Sequence, residues 1–277
     1  MTPSRTAFVL GGGGALGAVE VGMLRALFEA EIDADLILGT SVGALNGALV
    51  AADPSPGIIE RLVALWESAA GSKEVYGDSA MRQVSRAVRT GTHLHSAKPL
   101  RERLGKELGD LTFDQMQIPF QCCAANIERA SEHWFSQGRV VDAVVASAAV
   151  PGLLRPAEVD GEHFLDGGIV NSIPVGRAAE LGADRIFVLQ VGRVDRPLKP
   201  PRRPWEVARV SFEIARRHRF HHEMAALPDH VTAHVLPTGG GSARDDSLLA
   251  YRDFSAVLRR IDAAYTASTA YLEANLR

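Results

Sequence analysis

Twice within its first 52 residues the chain runs from a short apolar stretch through a glycine turn into residues spaced for a helix. Residues 6–10 read as a buried strand, 11–14 are four glycines, and 18–30 carry Val21, Leu24, Leu27 and Phe28 on one helical face. Residues 33–38 lead into a second strand, Gly39-Thr40-Ser41-Val42-Gly43 makes the turn, and 42–52 form a second helix. This alternation predicts an α/β fold: a central, mostly parallel sheet sandwiched by helices. The pattern continues with a helix over 58–70, a strand over 119–127, helices over 139–147 and 175–181, and a strand over 185–190. Strands at 157–159 and 163–165 flank Asp160-Gly161, the signature of a tight hairpin.

After Gly192 the composition shifts. Pro197, Pro200, Pro201 and Pro204 stand among Lys199, Arg202 and Arg203, marking an exposed crossing segment. A helix over 205–224, a strand over 230–236, a loop over 239–246 and a final helix over 251–276 follow. The expected organisation is a core over residues 1–195 and a mainly helical C-terminal extension over 196–277, packed on the same domain. Residues 71–98 are interrupted by Gly71, Gly77 and Gly91, with a charged helical patch over 81–89. They read either as a surface connection or as a lid over the site.

The chain has 277 residues, 46% hydrophobic and 23% charged, the balance of an ordinary globular protein. Its formal charge of −3 gives no overall basic field, so nucleic acid is not an expected partner. The two cysteines, Cys122 and Cys123, are sequence neighbours that rarely meet disulfide geometry and suit a reducing compartment. No apolar run reaches the length of a membrane-spanning helix, and the N-terminus makes a poor signal peptide. The expectation is a cytoplasmic protein whose membrane contacts are peripheral. Nothing in the pattern sets an oligomeric state.

Three segments carry candidate chemistry. The first is Gly11-Gly12-Gly13-Gly14-Ala15-Leu16-Gly17, whose backbone N–H groups can converge on an anion, either a phosphate or an oxyanion. Gly12, Gly14 and Gly17 also fit a dinucleotide fingerprint, with Asp33 about 20 residues on. Asp33 and Asp35 precede the second strand, however, whereas a ribose-binding acid belongs at its carboxyl end. The second segment is the G-x-S-x-G turn, where Gly39 and Gly43 let a strained turn present Ser41 and the next helix points N–H groups at it. The competing reading makes Ser41 a small residue at a close helix–sheet contact.

The third segment is Leu165-Asp166-Gly167-Gly168. Its plain reading is an Asp-Gly turn. Its chemical reading is a carboxylate at a strand end, with Gly167 and Gly168 admitting another backbone. A serine hydroxyl needs a base within about 2.6–3.2 Å, and Asp166 would supply one without an intervening histidine. His218 and His222 have helical i, i+4 spacing, but the arginines around them oppose a metal ion and favour a solvated face.

Together these pieces resemble the patatin-like phospholipase family, which pairs a G-G-G-x-R/K-G turn with G-x-S-x-G and a later D-G-G or D-G-A. Ala146-Ser147-Ala148-Ala149-Val150-Pro151-Gly152 and Asp166-Gly167-Gly168-Ile169-Val170-Asn171-Ser172-Ile173-Pro174 are similar to family segments in the same order, so the resemblance spans residues 5–192. It implies Ser41 as nucleophile, Asp166 as its dyad partner, and an oxyanion hole from Gly12, Gly13, Gly14 and Ala15. Gly17, Gly39, Gly43, Gly167 and Gly168 would support the motifs. The implied reaction is hydrolysis of a phospholipid or other lipid acyl ester through an acyl-serine, with no metal or organic cofactor. One departure stands out: Leu16 occupies the position of the family's arginine or lysine. It motivates an alternative, a catalytically weak or silent relative that binds lipid or acyl groups.

Overall fold

The computed structural model describes residues 4–71, 95–192, 194, 197–202, 204–240 and 256–276. Eight strands form one sheet: β1 (Thr6–Leu10), β2 (Leu36–Thr40), β3 (Phe120–Asn126), β4 (Ser131–Phe135), β5 (Ala157–Val159), β6 (Glu162–Asp166), β7 (Arg185–Leu189) and β8 (Thr232–Val235). Their order is β5-β6-β3-β2-β1-β7-β8, with β4 paired to β3. β3, β2, β1, β7 and β8 run parallel, while β4, β5 and β6 make the antiparallel pairings.

The central strands are buried on both faces, and their period of two sends alternate residues into two cores. Phe8, Leu10, Ile37, Phe187 and Leu189 face one core. There they meet α1 (Ala18–Glu29), α2 (Val42–Ala52), α3 (Ile58–Gly71), α4 (Lys98–Leu108) and α5 (Val140–Ser147). Ala7, Val9, Leu36, Leu38, Ile186 and Val188 face the other, against α6 (Val175–Glu180) and α7 (Pro204–Ala225). The last helix, α8 (Val257–Asn275), lies on α1 so closely that a Cβ on Gly22 would fall 2.1 Å from the Ile261 carbonyl oxygen.

The expected α/β sandwich is therefore the observed one, and its element positions agree to within a few residues. At the hairpin, Asp160 and Gly161 take φ values of 50° and 79°, the left-handed pair that an Asp-Gly turn supports. Two elements were not anticipated. β4 has the polar sequence Ser-Glu-His-Trp-Phe and is held mainly by its pairing to β3. α4 buries little beyond Leu104 and Leu108, so its apolar stripe is thin. Most of the lid candidate (72–94) and most of the 239–246 loop lie outside the described residues, as does the start of the last helix.

Candidate active site

The pairing around β3 brings two distant residues together. Cys122 pairs with both Gly39 and Phe135, so β2 and β4 occupy opposite edges of β3. Ala124 pairs with both His133 and Asp166, so β6 lies on the edge away from β4, the one β2 uses. β2 runs along that edge until Thr40 sits opposite Cys123. β6 arrives from the other direction and ends with Asp166 opposite Ala124, the next residue. The two strand ends thus meet head to head, and the residue after Thr40 is Ser41.

Ser41 has φ 57° and ψ −119°, a conformation that L-residues rarely adopt and that costs about 1–3 kcal/mol. The surroundings enforce it. A Cβ on Gly39 would lie 2.5 Å from the Gly43 carbonyl oxygen, and one on Gly43 would lie 2.3 Å from that of Leu10, so both glycines are sterically required. The Ser41 N–H donates to Ser147 Oγ at 2.8 Å, and Ser147 donates onward to the Cys123 carbonyl at 2.6 Å. Thr40 Oγ1 donates to the Asn171 carbonyl at 2.8 Å.

Ser41 Oγ donates to Asp166 Oδ2 at 2.5 Å, with no imidazole between them. The other carboxylate oxygen accepts the Gly168 N–H at 2.8 Å, and the Asp166 N–H is held by the Ala149 carbonyl at 2.9 Å. Gly167 allows this approach, because a Cβ there would fall 2.2 Å from the Cys123 carbonyl oxygen. Ser41 and Asp166 are each only 6% exposed. Burial pushes the Asp166 carboxyl up to about 6, against the opposing pull of its hydrogen bonds from Ser41 and Gly168.

The glycine turn lies beside this pair, a Cβ on Gly12 being 3.4 Å from Ser41 Cβ. The sequence-based expectation for Gly12 as an N–H donor needs correction: its N–H is committed to the Ser172 carbonyl at 3.0 Å. Gly13, Gly14 and Ala15 differ. Among the described residues no acceptor engages their N–H groups, which open the 3-10 turn Gly14–Gly17. Gly17 is packed against the Val42 side chain, where a Cβ would come within 2.6 Å. Leu16 is buried in the first core.

Beneath the turn, Glu20 is fully buried, and desolvation holds its carboxyl well above the usual range. The Asn46 amide donates to it at 2.7 Å and to the Gly17 carbonyl at 3.1 Å, while Trp66 Nε1 donates to Asn46 at 3.2 Å. Burial thus disfavours the charged form of Glu20, the form that would oppose an anion at the turn above it.

A cavity of about 490 Å³ opens from Ser41, Gly14 and Ala15 into the space between α2, α3 and α4. Its inner wall includes Leu45, Leu49, Leu65, Trp66, Leu104 and Leu154. Arg103, Lys106 and Glu107 are also among its lining residues.

The other candidates fall elsewhere. Asp35 accepts the Thr6 N–H at 2.8 Å, at the amino ends of β1 and β2 and so at the opposite end of the sheet from the glycine turn. That placement removes the ribose contact from the dinucleotide reading. His163 bonds Glu128 at 2.7 Å on β6. His218, His221 and His222 are exposed on α7. Among the described residues, no three His, Cys, Asp or Glu side chains cluster as a metal site, and no helix is long and apolar enough to cross a membrane.

Sequence reasoning missed the parts that hold the site from outside the motifs. Glu223 on α7 accepts from Asn171 Nδ2 at 2.9 Å, the Gly176 N–H at 2.8 Å and Arg219 Nε at 2.5 Å. Arg216 is buried behind the glycine turn and donates to the carbonyl of Val191, whose side chain fills the space a Gly13 Cβ would need. No spacing in the chain links 171 to 223 or 41 to 147.

The model of the family described as patatin-like phospholipase matches residues 8–179, which contain the glycine turn, Ser41 and Asp166. The chain belongs to this family. Patatin-like relatives include the lysophospholipase nte1 of Aspergillus terreus, 35% identical over 195 residues. The lysophospholipase NTE1 of Coccidioides immitis is 33% identical over the same length. Each alignment takes in 68% of this chain but only 12% and 11% of the relative, so the chain spans about an eighth of their length.

Among solved structures, VipD from Legionella pneumophila aligns with 98% of this chain and 67% of its own, at 15% identity and a TM-score of 0.47. A structure of SpcU in complex with ExoU from the type III secretion system of Pseudomonas aeruginosa aligns with 99% of this chain and 53% of the other, at 15% identity and a TM-score of 0.44.

Proposed function

We propose that this chain cleaves carboxylic esters of lipids through a Ser41–Asp166 dyad and an acyl-serine intermediate. The carrying observation is the 2.5 Å hydrogen bond from Ser41 Oγ to a buried carboxylate, beside unengaged N–H groups and an apolar cavity. With its carboxyl near 6, Asp166 is mainly ionised at neutral pH and can act as a base. Ser41 Oγ attacks the ester carbonyl carbon while its proton passes to Asp166. The carbonyl π electrons move onto oxygen, and the N–H groups of Gly13, Gly14 and Ala15 meet that charge. Collapse expels the alcohol, which takes the proton from Asp166. Water then attacks the acyl-serine, Asp166 accepts its proton, and the acid leaves as Ser41 is reprotonated.

Residues 1–195 act as the catalytic core and 196–277 as an extension whose helix α7 braces it. The cavity falls within the roughly 300–1,000 Å³ of small-molecule sites; it is apolar along α2 and α3, which suits one acyl tail, and carries Glu102, Arg103, Lys106 and Glu107 on its α4 side. Together with the relatives' names, that favours a lysophospholipid substrate. The test is release of fatty acid from lysophosphatidylcholine and from a short-chain aryl ester. Ser41→Ala should lower turnover at least about 1,000-fold. Equal turnover by wild type and variant would sink the reading.

A second reading is favoured by Leu16: a silent relative that binds an acyl group. It predicts that fatty acid raises the melting temperature of a protein with no ester turnover.

A further inference from the structure

Asn46 lies in α2, five residues after Ser41, and is fully buried. Its amide meets a different element on each side. Nδ2 donates to the Gly17 carbonyl at 3.1 Å and to Glu20 Oε2 on α1 at 2.7 Å, while Oδ1 accepts from Trp66 Nε1 on α3 at 3.2 Å. The amide can sit only this way round, because an indole N–H only donates and a backbone carbonyl only accepts. Both amide hydrogens and the amide oxygen are therefore in use. An aspartate here would lack both donors, and a leucine would lack all three groups.

Gly17 closes the 3-10 turn that begins at Gly14, and the unengaged N–H groups of Gly13, Gly14 and Ala15 open that turn. Val42 stands four residues before Asn46, on the same face of α2, and its side chain comes within 2.6 Å of the position a Gly17 Cβ would take. One helix face thus holds Gly17 twice, by packing through Val42 and by a hydrogen bond through Asn46. The residue that starts this helix is Ser41. The turn and the nucleophile are separate segments of chain, and a misplacement of about 1 Å between reacting and stabilising groups can cost about 100-fold in rate.

We propose that Asn46 is a positioning residue whose amide locks the turn over 13–17, with its N–H donors, in register with Ser41. The proposal rests on the ester-hydrolase reading, and the experiment keeps the two apart. Hydrolysis of p-nitrophenyl acetate is followed with the full chain, its short acyl group asking little of the cavity. The kcat is expressed per serine labelled by a fluorophosphonate, so that only folded sites are counted. Asn46→Leu, close in size, should lower kcat at least about tenfold with KM changed less than about twofold. Its melting temperature should fall as well, since buried groups lose their partner. Adding Glu20→Leu should restore part of the melting temperature by removing a stranded carboxyl, yet leave kcat low, because Gly17 is still untied. A purely structural role would restore both together. The proposal is overturned if Asn46→Leu keeps the wild-type kcat per labelled site, or if the double variant regains kcat along with its melting temperature. Should the single variant not fold, a double variant with wild-type kcat overturns it equally. A wild type as inert as Ser41→Ala sinks the hydrolase reading, and the proposal with it.

Discussion

Asp166 shows how one residue's environment sets both activity and stability in opposite directions. Its carboxyl stands near 6 because burial costs the charged form more than Ser41 and Gly168 return. As the base in the proposed mechanism it must be ionised, so kcat/KM should fall as pH drops, with an acid limb near pH 6. The stability effect has the other sign. The folded protein holds this proton to higher pH than the unfolded chain, whose value is near 3.8. The contribution is therefore most favourable below about pH 4, declines as pH rises toward about 6, and is flat above. Moving the carboxyl from 3.8 to about 6 corresponds to roughly 3 kcal/mol. Asp166→Asn should then be nearly inactive yet melt higher than wild type at about pH 8, the gap closing near pH 4. Paired melting curves at the two pH values check this; a variant that melts lower at both would show that the hydrogen bonds outweigh the desolvation.

At the scale of elements, the glycines separate into those a turn requires and those it does not. Gly43→Ala would drive a Cβ to 2.3 Å from the Leu10 carbonyl oxygen, a clash with backbone that no rotamer relieves. It should cost at least about 2 kcal/mol in urea unfolding and distort the Ser41 turn. Gly105, inside α4, has nothing within 4 Å of its Cβ position, so Gly105→Ala should stabilise by about 0.5–1 kcal/mol. The same contrast explains what the sequence made legible. Strand-to-helix turns announce themselves through apolar runs and glycines, so β1, α1, β2 and α2 could be placed closely. β4 and α4 could not: one is a polar edge strand defined by its partner, and the other buries only Leu104 and Leu108. Ser41 and Asp166 were legible because each closes a recognisable strand-end motif. Ser147, whose side chain holds the Ser41 N–H, carried no signal of its own beyond its place in a family-like segment.

In the whole molecule, the site depends on segments far apart along the chain. β3 lines up the ends of β2 and β6, and α7 ties the loop after Asp166 to the rest through Glu223. Such contacts arise only from the assembled fold, which is why the chain's pattern hid them. Because the Asn171 carbonyl also accepts from Thr40, Glu223→Ala should reach the nucleophile turn: buried donors lose their acceptor, at about 1–3 kcal/mol. The account expects kcat to fall with KM little changed, and Glu223→Gln to recover part of the loss; an unaltered kcat would remove α7 from the catalytic unit. The central claim is that Ser41 is a nucleophile activated by Asp166. The most direct measurement treats the protein with a fluorophosphonate and locates the adduct by peptide mass. The predicted result is a single adduct on Ser41, absent in Ser41→Ala and formed at least about 100-fold more slowly in Asp166→Asn. Labelling of Ser41→Ala at the wild-type rate, or a folded wild type that takes no label, would contradict it.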